Sequence, residues 1–143
     1  MLEALGQLCH GSAADSVVQV LAAQAPTWLV QFPALVKREQ REKLQREIVG
    51  ATRERMLREI ADALETITAE SPLLLVFEDL HWADSSTVDL ISVLARRRPP
   101  ARLMLVGTYR LVDLILSEHP LKAVKQDLAG ASLVPQDRAR AAR

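Results

Sequence analysis

Residues 73–79 are Leu-Leu-Leu-Val-Phe-Glu-Asp, five apolar residues that end abruptly at two adjacent carboxylates. An unbroken apolar run behind the breaker Ser71-Pro72 is typical of a strand buried on both faces in a parallel sheet. In an open α/β sheet, ligands bind outside the carboxyl ends of the strands. Glu78 and Asp79 are therefore predicted to lie at a ligand-binding edge. An acidic first turn of a helix fits the same residues, and this stretch alone leaves both interpretations open.

A helix is predicted directly behind the acid pair. Residues 84–86 (Asp-Ser-Ser) can cap its first turn, because their side-chain oxygens accept from free backbone amides. Val88, Ile91 and Leu94 recur at helical spacing. Three arginines at 96–98 suit the negative end of the helix dipole, and the two prolines behind them end the helix.

A second apolar run, Leu103–Val106, follows the helix and ends at the sequence Gly-Thr-Tyr-Arg at 107–110. The order strand, helix, strand predicts a right-handed βαβ crossover, which makes the two strands parallel. Both strands then end at the same edge of the sheet. The acid pair is therefore expected near Thr108 and Arg110, an arrangement that suits a magnesium-bound polyphosphate.

Residues 73–110 resemble the Walker B to sensor 1 segment of the signal-transduction ATPases with numerous domains, the STAND ATPases. The resemblance is carried by the acid pair, by Leu-His-Trp-Ala-Asp at 80–84 and by Gly-Thr-Tyr-Arg at 107–110. STAND proteins are AAA-related P-loop NTPases, often found in large bacterial transcriptional activators and in regulators fused to cyclase domains. The resemblance implies a partial, AAA-like, three-layer α/β fold with parallel strands and a helical N-terminal half.

The same resemblance implies ATP and Mg²⁺ as cofactors and assigns roles to individual residues. Glu78 matches the acid on the magnesium side and is the implied metal ligand. Asp79 matches the acid nearer the attacking water, and Arg110 matches the sensor arginine that contacts the γ-phosphate, so these two are the implied catalytic residues. Thr108 is expected beside all three at the nucleotide-binding edge.

The phosphate-binding motif of the family, GxxxxGK[ST], does not occur in these 143 residues. Its backbone amides and lysine would cradle the phosphates. None of the glycines is followed by Lys-Ser or Lys-Thr, and they are scattered: Gly6, Gly11, Gly50, Gly107 and Gly130. We therefore expect a fragment that begins behind the loop, a truncated gene product or a degenerate paralogue. Such a chain should bind nucleotide only if the loop is supplied, and should not hydrolyse ATP alone.

An alternative interpretation is a non-catalytic interaction module, or a degenerate remnant of such a regulator. An incomplete sheet leaves an open apolar edge, and an open edge can pair with another copy or with a partner protein. The presence of a phosphate-binding loop upstream in the same reading frame would distinguish the two interpretations.

The composition of the chain argues against several other classes of protein. Hydrophobic residues make up 49% of the chain, which is typical of a globular protein. The 18 basic and 18 acidic residues cancel, which argues against direct nucleic-acid binding by this segment. No apolar run is long enough to span a membrane. Cys9 is the one cysteine, so we expect a buried small hydrophobe in a reducing, cytoplasmic environment.

The rest of the chain divides by pattern into three parts. Residues 1–70 are predicted to form a helical N-terminal part, residues 71–128 the strand-helix-strand unit with a following helix, and residues 129–143 a disordered tail. Within the first part, helices are expected at 2–9, 16–25, 37–47 and 51–68. Trp28 is expected to pack in the core, and His81, in the second part, to act mainly through packing.

Overall fold

The computed structural model describes residues 2–11, 13–97 and 101–130, with side chains described up to Leu128. The chain divides into two compact units. The first unit contains the residues up to Val76 and the second strand up to Val106. The second unit contains Phe77–Arg97 and the residues from Gly107 onward.

The described elements divide between the two units. In the first unit they are α1 (Leu2–Leu8), α2 (Ala14–Gln24), α3 (Pro26–Leu29), a 3₁₀ turn (Pro33–Leu35), α4 (Arg38–Glu47) and α5 (Arg53–Glu70). The two strands are β1 (Leu73–Phe77) and β2 (Leu103–Gly107). Each belongs to the first unit except for its last residue, which belongs to the second. The second unit also holds a 3₁₀ turn (Leu80–Trp82), α6 (Ser85–Arg96), α7 (Leu111–Leu116) and α8 (Leu121–Gly130).

The two strands pair in parallel, as the crossover order predicts. At the start of the pair, the Leu73 N–H donates to the Arg102 carbonyl at 2.9 Å. At its end, the Thr108 N–H donates to the Phe77 carbonyl, also at 2.9 Å. From one end of the pair to the other, the residue numbers of both strands increase, so the strands run in the same direction. A helix-rich chain with a short parallel sheet confirms the predicted α/β class.

The expectation that these strands are buried on both faces is wrong. Leu75 is 4% exposed, whereas its neighbours Leu74 and Val76 are 56% and 54% exposed. Met104 on β2 is 63% exposed. Side chains alternate between the faces of a strand, so this pattern belongs to a sheet covered on one face.

The core of the first unit forms where α2, α3 and α5 meet. Each helix contributes an apolar stripe, and α5 repeats its stripe at the predicted helical spacing. Large apolar side chains with almost no exposure include Leu21, Leu29, Ile60 and Leu64 from these helices and Leu5 from α1. The Thr52 hydroxyl caps α5 by accepting from the Arg55 N–H at 3.2 Å.

A buried carboxylate links α3 to α5 in this core. Glu59 Oε2 accepts from the backbone N–H of Thr27 at 3.1 Å and from its hydroxyl at 2.6 Å. Glu59 Oε1 accepts from Arg55 Nε at 2.7 Å. The Trp28 indole N–H donates to the Met56 carbonyl at 2.8 Å, and the ring is buried, so the predicted core role of Trp28 is confirmed.

The second unit has a small core of its own. Its buried members are Leu80, Val88, Ile91, Leu114 and Leu121. Helix α6 packs on α8, and the Arg96 guanidinium lies 2.7 Å from an oxygen of Asp127. The predicted cap of α6 is present, since Asp84 Oδ1 accepts from the Thr87 N–H at 2.8 Å.

Gly107, at the end of β2, allows a close approach to this core. A Cβ at this position would lie 2.6 Å from Leu80 Cδ1, closer than carbon atoms pack. The glycine therefore lets the backbone of the strand end lie against the buried Leu80 side chain.

Cys9 is a buried free thiol, as expected of a small hydrophobe. Burial raises the pKa of this thiol.

The C-terminal helices differ from the sequence prediction. Helix α7 was not predicted from the sequence. The predicted tail starts at 129, but α8 continues to Gly130, and residues 131–143 lie outside the described part. Across the described residues, no helix has the length and apolar character needed to cross a membrane.

Candidate functional site

The segments that follow the two strands are joined by a set of hydrogen bonds at Thr108. The Leu80 N–H donates to the Thr108 carbonyl at 2.8 Å, and the Asp79 N–H donates to the Thr108 hydroxyl at 3.1 Å. Together with the Thr108 N–H bond to Phe77, these bonds fix the exit of β1 against the exit of β2. The carboxyl ends of both strands therefore lie at one edge, as the βαβ order predicts.

Asp79 has a left-handed backbone conformation, with φ 53° and ψ 43°. A residue with a Cβ pays about 1–2 kcal/mol for this conformation, although Asp and Asn tolerate it better than most. The bond from its N–H to Thr108 helps to hold the turn. The carboxylate itself is 67% exposed, so it is accessible to a ligand. Backbone strain of this kind is concentrated at functional sites.

Glu78 and Arg110 are the two other charged residues expected at this edge, and both are exposed. Glu78 directly follows the last residue of β1, and Arg110 is the N-cap residue of α7. The described residues contain no cluster of three or more His, Cys, Asp and Glu that could hold a metal alone. Mg²⁺ usually takes one or two carboxylates and completes its shell with water and substrate phosphates, so the acid pair fits a Mg²⁺–polyphosphate.

A buried histidine lies beneath this edge. The His81 side chain is only 1% exposed. Its Nδ1 accepts from the Arg110 backbone N–H at 3.4 Å and lies 3.9 Å from Asp79 Oδ1. Its Nε2 lies 3.4 Å from Asp113 Oδ2. His81 thus contacts both strand exits, which goes beyond the packing role expected from the sequence.

Asp113 is the other residue that sequence reasoning missed. It lies in the first turn of α7, between the exposed Val112 and the buried Leu114, and its side chain is 39% exposed. The available signal was the presence of a single acid inside the apolar run Leu111–Leu116. No sequence pattern pairs Asp113 with His81, which lies 32 positions earlier.

The structure therefore brings together most of the predicted residues. Thr108 bonds directly to the Asp79 backbone, and Arg110 is linked to the same turn through His81. Glu78 lies next to Asp79 in the chain, with an exposed side chain. The chemical roles of these residues stay predictions.

Comparison with known proteins gives one family. The family model described as an AAA ATPase domain matches residues 3–106, which include the acid pair and both strands up to Val106. No curated protein and no solved structure gave a significant match.

Proposed function

The chain belongs to the family of AAA ATPase domains, and we propose that it is part of a STAND-type regulatory module that binds and hydrolyses ATP. The observation that supports the site is the bonding of the two strand exits, which holds Asp79 against Thr108 beside Arg110. Such modules use hydrolysis to reset a molecular switch, so the proposal extends to a role in signal transduction and transcriptional regulation.

Each residue at the edge has a role in this proposal. Glu78 would hold Mg²⁺ directly or through a water, and the ion would supply positive charge for the phosphates. Asp79 orients the attacking water through its exposed carboxylate. Arg110 stabilises charge on the γ-phosphate. The Thr108 hydroxyl, through its bond to the Asp79 amide, fixes the turn that carries the carboxylate.

These 143 residues contain no phosphate-binding loop of the GxxxxGK[ST] type. We propose that nucleotide binds only where that loop is supplied, and that this chain alone does not turn ATP over. Positioning supplies much of the catalysis in phosphoryl transfer, so an acid pair without a phosphate cradle is insufficient. The buried, unpaired Cys9 supports the further proposal of a reducing, cytoplasmic location.

The proposal is tested by joining a phosphate-binding loop segment from a full-length AAA ATPase ahead of Met1. This joined protein should bind Mg²⁺–ATP and prefer it to ADP. Arg110→Ala should remove most of the preference and slow hydrolysis by about 10²- to 10³-fold, because the γ-phosphate loses a charged donor. Calorimetry with both nucleotides and a phosphate-release assay measure the two effects.

Two controls accompany this test. The 143-residue chain alone should release phosphate no faster than its Glu78→Gln, Asp79→Asn double variant. Arg102→Ala, an exposed arginine at the opposite end of β2, should leave the ATP preference unchanged. A folded joined protein in which Arg110→Ala discriminates ATP from ADP like its parent would show that the sensor assignment is wrong.

A second candidate function, an interaction module, is favoured by one specific observation. The uncovered face of the sheet in the first unit carries large apolar side chains, namely Leu74, Val76 and Met104. An exposed apolar face on a short sheet favours association with another copy or with a partner.

We expect the isolated chain to self-associate through this face. Leu74→Lys should shift the chain towards monomer in sedimentation experiments and lower its binding of a hydrophobic dye. Val49→Lys is the matched control, because Val49 is 80% exposed in a loop and is not part of the strand pair. A monomeric parent chain with weak dye binding would contradict this second candidate.

A further inference from the structure

His81 is the buried polar side chain of the second unit that the proposed roles leave without a task. Its ring is almost fully enclosed, yet it lies against the two exits that carry Asp79 and Arg110. A buried imidazole costs free energy unless its nitrogens find partners.

The partner of Nδ1 identifies the tautomer of this ring. A backbone N–H can only donate, so the nitrogen that accepts from Arg110 carries no proton. In the neutral imidazole the proton then lies on Nε2. His81 is consequently an Nε2–H donor facing Asp113.

The Asp113 carboxylate lies where it can accept a hydrogen bond from the Nε2–H of His81. Its Oδ2 lies 3.4 Å from Nε2, and no group of the described residues makes a well-aligned hydrogen bond with that nitrogen. The two atoms are within hydrogen-bond distance, and a small rotation of the partly exposed Asp113 side chain would align them. A carboxylate behind an imidazole selects the tautomer and the orientation of the ring.

From this geometry we propose that His81, held in its Nε2–H tautomer by Asp113, is a positioning residue for Arg110. The ring accepts the Arg110 N–H, which is otherwise a free amide where α7 begins. It thereby fixes the main chain from which the arginine side chain projects, next to the turn of Asp79. The consequence for ATP rests on the proposed function, whereas the positioning itself does not.

The tautomer is tested by long-range ¹H–¹⁵N correlation of the imidazoles in the 143-residue chain at about pH 8.5, where an ordinary imidazole is neutral. The chain has three histidines, and the other two serve as internal references. His119 accepts from the Leu121 N–H through Nδ1, so it should share the tautomer of His81. His10 must donate from Nδ1 to the Gly6 carbonyl, so it should show the opposite one. A proton on Nδ1 of His81 would overturn the proposal.

Positioning is separated from packing by two substitutions at the same site. His81→Asn keeps an acceptor near the position of Nδ1, whereas His81→Leu fills the space without one. Amide exchange at Arg110 should rise roughly two- to tenfold in the leucine variant and stay near the parent in the asparagine variant. A packing role predicts the reverse order, since leucine suits a buried site better. Equal exchange in the two variants, or the reversed order, would contradict the proposal.

Two further variants keep the result interpretable if His81→Leu does not fold. Asp113→Leu removes the carboxylate at a partly exposed site, and it should both mix the His81 tautomers and raise exchange at Arg110. His119→Leu should raise exchange at Leu121 and leave Arg110 unchanged. An unaltered His81 tautomer in Asp113→Leu would overturn the role of Asp113.

The functional consequence is measured in the joined protein that binds ATP. His81→Leu should slow turnover roughly two- to tenfold, and His81→Asn should restore it. If the predicted tautomer and exchange effects appear but the parent does not turn over ATP, the proposed function fails and the positioning stands. If the parent turns over ATP but the His81 substitutions leave amide exchange at Arg110 unchanged, the positioning role is wrong and the proposed function stands.

Discussion

Asp79→Asn in the joined, ATP-binding protein should lower turnover on the order of 10²-fold or more and leave ATP affinity nearly unchanged. The carboxylate is the exposed acceptor at the strand edge, and the attacking water loses its orientation when a neutral amide replaces it. The phosphates themselves are bound by the supplied loop and by Arg110, so ground-state binding should persist. Single-turnover phosphate release and nucleotide titration measure the two quantities separately.

Asparagine is the appropriate replacement for a structural reason. Position 79 has a positive φ, and Asn tolerates this conformation, whereas Ala or Val would add strain to the loss of the acid. Glu78→Gln is the matched comparison, because it neutralises the neighbouring acid. That change should mainly raise the Mg²⁺ concentration needed for half-maximal activity, since the hard cation prefers an ionised oxygen. If Asp79→Asn turns over like its parent, the water-orienting role belongs to another group.

Glu59→Ala should lower the free energy of unfolding of the first unit by about 3 kcal/mol. The carboxylate accepts from both the amide and the hydroxyl of Thr27, and from Arg55. Its removal leaves buried donors on Thr27 without an acceptor and separates α3 from α5. Glu59→Gln keeps one oxygen, so a smaller loss is expected.

The two tryptophans make this loss measurable in one unit. Trp28 is buried in the first unit, and Trp82 is 81% exposed in the second, so a Trp82→Phe background lets denaturant unfolding be followed through Trp28 alone. Glu70→Ala, at the exposed end of the same helix, is the control and should change stability little. Equal midpoints for Glu59→Ala and Glu70→Ala would show that the buried network does not stabilise the unit.

Local order in this chain was determined by the sequence itself. The breaker before residue 73, the cap at Asp84 and the helical spacing behind it predict strand, helix and strand. The helical crossover then makes the strands parallel, which places the acid pair and Thr108 at one edge. The breaker, the cap and the helical spacing each involve neighbours within a few positions, so the sequence shows them directly.

The sequence did not determine which faces of the sheet are buried. The run at 73–77 is apolar at every position, so its pattern predicts burial on both sides, yet Leu74 and Val76 are exposed. Apolar side chains are necessary for burial but do not supply the element that covers them. Burial is a property of what packs against a strand, and the strand's own sequence does not contain that information.

Only the tertiary structure decided the contacts that define the site. The Asp79 amide meets the Thr108 hydroxyl across 29 positions, and Arg110 meets His81 across the same separation. Glu59 reaches Thr27 across 32. Each contact joins segments that approach only after the helices have packed, and it requires one rotamer and one backbone conformation, such as the positive φ of Asp79. Residue type and spacing show that an acid, a hydroxyl or an imidazole is present, whereas its partner is selected by the packing of the whole unit.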